Sequence, residues 1–303
     1  MKRILITGAG SYIGTNVEEY LCSYNEARGE VLYLVDTLSQ RGDDWKKVSF
    51  TGYDAVFHVT GIAHADTAGA TEEAQKEYYR INCDLAVETA RKAAAEGVKQ
   101  FIYMSSILVY GESAPVGKTK RITAETSPAP ANFYGDSKLQ AERGLSRIKG
   151  LKIAILRPPL IYGKGCRGNY PLLSRLAGRL PVLPTLSNER SMLYVGNLCE
   201  FVRILIEQER EGIFFPQDRE YVSTCHMMEQ IATIKNKKVV TLPLLNPVVR
   251  ILSKVPGRIG RLANKAFGSL SYDMAMSEIG ADYRVYSLGE SIRKTEEERC
   301  RYQ

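Results

Sequence analysis

The sequence predicts an α/β protein built on a doubly wound parallel sheet. Apolar β-type runs alternate with helical patterns through the first half of the chain. Parallel neighbours need such crossovers, because a tight hairpin can only join antiparallel strands. The first run breaks into a glycine-rich turn and then a helical pattern, and a chain of 303 residues can bury a large core as one big or two modest domains. The expected strands are 3–7, 31–35, 54–59, 100–105 and 151–157, and the expected helices are 12–26, 72–96 and 134–148.

The opening element is the most informative. Ile4-Leu5-Ile6-Thr7 runs into Gly8-Ala9-Gly10-Ser11-Tyr12-Ile13-Gly14, and Val17, Tyr20 and Leu21 continue at helical spacing. Glycines let the backbone turn tightly and approach a pyrophosphate, and the helix N-terminus offers N–H groups to the anion. Any flexible strand–turn–helix shares part of this pattern. What sharpens it is Asp36, which closes the run Val31–Val35 and stands 22 residues beyond Gly14. A carboxylate at that distance suits a ribose diol and repels a 2′-phosphate, so the expected cofactor is NAD and the sheet is Rossmann-like. Ser11 is the odd residue of the turn, small enough to keep binding and able to donate a hydroxyl.

The next elements follow in order. Segment 37–50 is short and polar, so the usual helix and third strand should be curtailed there. Val59-Thr60-Gly61-Ile62-Ala63 ends a buried strand in small residues, against which a ligand can lie; simple close packing is the alternative. Asn82 interrupts the aliphatic run of helix 72–96 and either tethers backbone beneath the nicotinamide side or faces solvent. Phe101-Ile102-Tyr103-Met104-Ser105-Ser106 is an apolar strand ending in two hydroxyls, at the sheet edge that faces the cofactor crevice. Ser106 there can bond a reacting oxygen, although paired serines also cap helices. Tyr134 and Lys138 share one helix face, and a neighbouring ammonium lowers a phenol's pKa toward acid–base use.

After Arg157 glycines and prolines crowd the chain, and the composition shifts from sheet to loop. The expected division is a dinucleotide-binding domain over 1–165, to which 190–210 returns, with 166–189 and 211–303 forming a smaller α+β substrate-binding portion. The net charge of +7 favours anionic partners, but no basic stripe with interleaved aromatics points to nucleic acid. Six scattered cysteines read as reduced thiols of a cytoplasmic protein, and the three histidines show no metal-ligand spacing. No signal peptide or spanning helix is expected. Segment 246–267 holds Arg250, Lys254, Arg258, Arg261 and Lys265 among apolar residues and no acid. It fits an anionic membrane surface, a membrane-associated or non-catalytic nucleotide-binding partner, or cations reaching substrate phosphates.

The Thr7–Gly14 turn, the order Ser106, Tyr134, Lys138, and Val109-Tyr110-Gly111 resemble the extended short-chain dehydrogenase/reductases, and among them the NAD-dependent sugar-nucleotide epimerase/dehydratase family. The resemblance covers nearly the whole chain and is densest before residue 165. It implies Tyr134 as acid/base, Lys138 tuning it and holding the nicotinamide ribose, and Ser106 orienting the substrate hydroxyl. Pro158, in Arg157-Pro158-Pro159-Leu160-Ile161-Tyr162-Gly163, resembles the strand end beside the nicotinamide amide. Asn169 and Arg190 resemble the amide and arginine that contact a nucleotide diphosphate, commonly UDP. The dehydratases carry an Asp-Glu pair where Ile107-Leu108 stand, which leaves elimination without its acid. The implied activity is epimerisation at a sugar carbon, with reduction of a 4-keto sugar nucleotide as the alternative. A homodimer through helices 72–96 and 134–148 is the family's habit.

Overall fold

The computed structural model describes residues 1–63 and 70–300, without the side chains of Arg258 and of 297–300, so His64 and the side chain of Cys300 lie outside the described residues. Strand β1 (Lys2–Thr7), helix α1 (Tyr12–Arg28), strands β2 (Tyr33–Leu38) and β3 (Ala55–His58), and helices α2 (Glu72–Tyr79) and α3 (Leu85–Ala95) begin the chain. Strand β4 (Gln100–Met104), the short β5 (Arg121–Ile122), helix α4 (Phe133–Leu145), and strands β6 (Lys152–Leu156) and β7 (Leu160–Tyr162) follow. Then come α5 (Tyr170–Ala177), β8 (Val182–Leu183), β9 (Met192–Tyr194), α6 (Val195–Glu207), β10 (Gly212–Phe214) and α7 (Thr224–Ile234). The chain finishes with β11 (Val240–Thr241), α8 (Asn246–Leu252), α9 (Arg258–Phe267), β12 (Ser271–Tyr272) and α10 (Leu288–Cys300).

Six strands form one parallel sheet in the order β10-β6-β4-β3-β1-β2. Ile4, Ile6 and Phe57 enter the core beneath α1 and α6, whereas Leu5, Val56, Phe101 and Tyr103 enter the core beneath α3 and α4. Strands buried on both faces read as near-continuous apolar runs, which is why these were recognisable. The chain winds outward in one direction from β1 to β2 and in the other from β1 to β3, so the crevice at the strands' C-terminal ends opens beside the glycine turn.

Three features differ from the sequence expectation. Strand β2 runs to Leu38 because Thr37 and Leu38 extend the ladder along Ile6 and Thr7. The helix expected over 72–96 is interrupted at Arg80–Asp84 by a π turn, whose extra residue carries Asn82 into the interior. The sheet's outer strand β10 lies in segment 211–303, where the smaller portion was expected. It is three residues long, begins at a glycine and leaves Ile213 exposed, too short a signal to read. Among the described residues no helix is long and apolar enough to cross a membrane.

Candidate active site

The glycine turn is built as its composition requires. Gly8 and Gly10 have φ of +86° and +72°. A Cβ on Gly8 would lie 3.0 Å from the Thr60 amide nitrogen, so the turn presses bare backbone against the loop after β3. Ser11 is the N-cap of α1, with its Oγ accepting from the Gly14 N–H at 3.2 Å. Its own hydroxyl proton stays available to an anion. Tyr12 and Ile13 open the helix there and pack on the core.

Asp36 is placed otherwise than its spacing indicated. Because β2 is longer than expected, Asp36 sits opposite Leu5, two residues short of the strand's end. Its carboxylate accepts from Arg3 Nη2 at 3.2 Å and the Tyr53 hydroxyl at 2.7 Å. The end of β2 instead leads to Gln40, which sequence reasoning did not select. Thr60 donates to Gln40 Oε1 and Gln40 Nε2 donates to Thr89, both at 2.7 Å, tying the loops after β2 and β3 to α3.

On the other side of β1, Asn82 acts on backbone. Its Oδ1 accepts from the Ile62 N–H at 2.8 Å and its Nδ2 donates to the Ile62 carbonyl at 3.1 Å and to Ser137 at 3.2 Å. Gly61 lies directly above: a Cβ there would be 3.0 Å from Asn82 Oδ1 and 3.2 Å from Lys138 Nζ. The bare backbone at Gly8 and Gly61, the α1 N-terminus and this buried lysine fit a dinucleotide along the strand ends.

Ser106 and Tyr134 meet. Ser106 follows β4 and caps a short 3-10 turn, Ile107–Tyr110, accepting from the Leu108 N–H at 3.2 Å. Helix α4 is capped by Asn132 and begins against that turn; a Cβ on Gly135 would lie 2.4 Å from the Leu108 carbonyl oxygen. Glycine after the tyrosine therefore permits the close approach of α4 to that turn, near enough for the Ser106 hydroxyl to act on the Tyr134 phenol. Burial pushes the Tyr134 phenol up, the Ser106 bond pulls it down, and Tyr78 pushes it up again. Tyr78, unselected from sequence, stands edge-on to Tyr134 with centroids 6.3 Å apart.

Lys138, one turn further along α4, donates to the Met104 carbonyl at 2.9 Å and lies over the Tyr103 ring. Burial pulls its ammonium down to about 8, against the attraction of Glu142. It is not among the groups that shift Tyr134 here. At the end of β3, His58 is fully buried, accepts or donates at Thr7 over 2.8 Å and is held neutral, pulled down to about 3 by burial and by the Lys138 charge.

Other selected residues have different employment. Ser105 turns away from the crevice and donates to the buried Glu142 carboxylate, which also takes the guanidinium of Arg157 at 2.5 Å. The Pro158 carbonyl accepts from the Ile107 N–H at 2.9 Å, locking the strand end beside Ser106. Asn169 begins α5 and makes no side-chain cap bond there. Arg190 is buried enough to be pulled down, and its Nη1 donates to the carbonyls of Lys265 at 2.6 Å and Ala266 at 3.2 Å, closing the end of α9. The residue named for a diphosphate thus already serves as a joint. A groove of about 430 Å³ beside α1 and α6, lined by Asn16, Tyr20 and Tyr286, contains none of these groups.

Comparison with known proteins places this geometry. The model of the NAD dependent epimerase/dehydratase family matches residues 4–214. UDP-glucose 4-epimerase of Vibrio cholerae is 28% identical, with 90% of this chain and 88% of that protein covered. N-acetyl-alpha-D-glucosaminyl-diphospho-ditrans,octacis-undecaprenol 4-epimerase of Escherichia coli O157:H7 is 27% identical, with 96% and 93% covered. Among solved structures, UDP-N-acetylglucosamine 4-epimerase from Bacillus cereus superposes with a TM-score of 0.71 at 17% identity, covering 99% of this chain and 100% of that one.

Proposed function

We propose, for a chain that belongs to the NAD-dependent epimerase/dehydratase family, that it inverts one carbon, C4, of a hexose or N-acetylhexosamine carried on a diphosphate, with UDP as the expected carrier. The observation that supports this reading most directly is the close approach of α4 to the turn after β4, which brings the Tyr134 phenol within the influence of the Ser106 hydroxyl. The two sequence relatives quoted above both bear the name of a 4-epimerase, one for a UDP-sugar and one for an undecaprenol-linked diphospho sugar. Their shared chemistry is a sugar diphosphate.

Bound NAD supplies a hydride acceptor that can return what it takes. The chain's own residues do the rest. Gly8, Gly10 and the α1 N-terminus with Ser11 would cradle the pyrophosphate. Gly61, Asn82 and Lys138 would flank the nicotinamide half, with Pro158 closing it. Tyr134 would take the hydroxyl proton as the sugar carbon is oxidised and give it back as the carbonyl is reduced, while Ser106 holds that oxygen. The Lys138 ammonium, charged below about pH 8, would hold the nicotinamide ribose and add positive charge to the same crevice. Asn169 is the remaining candidate for the diphosphate. Arg190 would contribute there only with the donors that α9 does not use.

Tyr134→Phe should retain NAD and lose about 10²–10⁴-fold in turnover on a UDP-sugar panel. Wild-type turnover rates in that variant would refute the mechanism. Denaturing the purified protein should release close to one NAD per chain. An empty site together with NAD(P)H-dependent consumption of a 4-keto sugar nucleotide would replace the epimerase by the reductase. The reading further expects a cytoplasmic homodimer through α2–α3 and α4, which sedimentation at several concentrations tests.

A further inference from the structure

Segment 240–267 is unlike the rest of the surface. Of the 17 large apolar side chains that are exposed among the described residues, nine fall within residues 240–262. Leu244 is 81% and Ile251 65% exposed, and Val248, Ile259 and Leu262 are at least half exposed. Val248, Ile251 and Leu252 share one face of α8, and Ile259 and Leu262 one face of α9, with the exposed Val255 in the turn between the two helices. Such a stripe normally faces a core; here it faces outward.

The charge around the stripe has one sign. No carboxylate occurs between Glu229 and Asp273, and eight lysines and arginines do. Arg250, Lys254, Arg261 and Lys265 lie on α8, α9 and the turn between them, all exposed or partly so. The two helices are stapled as a unit. Asn264 Nδ2 donates to the Ser253 carbonyl at 2.9 Å, and its Oδ1 accepts from the Val116 N–H at 2.9 Å. At the far end Arg190 holds the last carbonyls of α9.

We propose that α8 and α9 dock the protein on an anionic phospholipid bilayer, lying in the interface with the apolar stripe down. A helix pair with an outward apolar face and flanking cations satisfies both demands of that interface, burial of hydrocarbon and attraction to headgroup phosphates. A second copy of this chain is the wrong occupant, because two patches of the same positive sign repel. The proposal deepens the reading of the chain as an enzyme of sugar diphosphates and rests on it only for purpose: docking would hold such an enzyme at a surface where lipid-borne diphosphates lie.

Flotation of the full-length chain with vesicles tests this apart from catalysis. The chain should rise with vesicles of phosphatidylcholine mixed with phosphatidylglycerol, stay down with phosphatidylcholine alone, and be released by high salt. Each basic side chain at an anionic surface strengthens binding about fivefold, so K254E/R261E should lower partitioning at least about 25-fold. I251D/L262D should lower it comparably. Both double variants should turn over a UDP-sugar in vesicle-free buffer at the wild-type rate, which establishes that they fold. A wild-type chain that never floats overturns the proposal. So do variants that float unchanged, or variants that lose only a concentration-dependent self-association. Flotation without any wild-type turnover would leave the docking intact and remove the epimerase reading instead.

Discussion

Two buried cations stand near each other in this molecule, and their surroundings differ. Lys138 and Arg157 are both 5% exposed. Arg157 meets Glu142 through three hydrogen bonds and Tyr110 through a fourth, and lies over the Tyr110 ring. Burial pulls its guanidinium down, but Glu142 more than offsets this and the net shift is upward. Lys138 has a carbonyl and an aromatic face instead, and its ammonium is weakened to about 8. One cation is fully compensated and holds β6 to α4. The other, one helical turn beyond Tyr134, is compensated only in part, which makes it a candidate for function and not for structure. The comparison teaches that burial alone does not set a cation's strength: Glu142 offsets it at Arg157 and only in part at Lys138.

Removing Glu142 should break the compensated site hardest. Glu142→Ala leaves Arg157 buried and unpaired, and should cost about 3–5 kcal/mol of stability in denaturant titration. A loss below about 1 kcal/mol would mean that the pair contributes little. Lys138→Met should do the reverse. Turnover should fall at least about 100-fold, while thermal stability stays level or rises because a costly buried charge has gone. A variant that is both inactive and strongly destabilised would erase the contrast.

The pH dependence sharpens it. The folded-state value for Lys138, about 8, lies below its ordinary 10.5, so the fold favours the neutral amine. The resulting penalty is present below pH 8 and is relieved as pH rises from 8 toward 10.5. The stability gap between Lys138→Met and wild type should therefore close across that interval. His58 is depressed from 6.5 to about 3, so its neutral form is fully supported above pH 6.5. As pH falls below 6.5 the unfolded chain gains a proton that the folded chain refuses, and stability should drop by about 1.4 kcal/mol per pH unit. His58→Phe should remove that slope between pH 6.5 and 5; an unchanged slope would assign it to other groups. The smallest effect belongs to the third cation, Arg3, whose pair with Asp36 is about half exposed on both sides. Asp36→Asn should shift stability by no more than about 1 kcal/mol.

Much of this was legible in the sequence for a definite reason. Strands buried on both faces leave continuous apolar runs, so β1, β3, β4 and β6 announced themselves, and the residues at their C-terminal ends were necessarily those of the crevice. Ser106 was found by that logic, and Tyr134 by its spacing from Lys138 on one helix face. Direction and register were not legible. Ser105 and Ser106 are adjacent, yet alternation along the chain sends one to Glu142 and the other to Tyr134. Asp36 was displaced by two residues of extra ladder, which depends on β1 and not on the local pattern. Asn82 enters the interior through a π turn that no helical periodicity predicts. Arg190 was read for its charge, whereas its partners are backbone carbonyls 75 and 76 residues away.

The Asn82 amide has a consequence for how the crevice tolerates change. It both accepts from and donates to the peptide of residue 62, as a neighbouring strand would, and so splints a loop end without touching its side chains. Such a splint recognises main chain and is blind to sequence. Position 62 should accept many residues with the loop still in register. Position 61 has less latitude, since a methyl group there would press on Asn82 and Lys138 together and one of them must give way. The boundary between a tolerant and a constrained position here runs through one peptide bond.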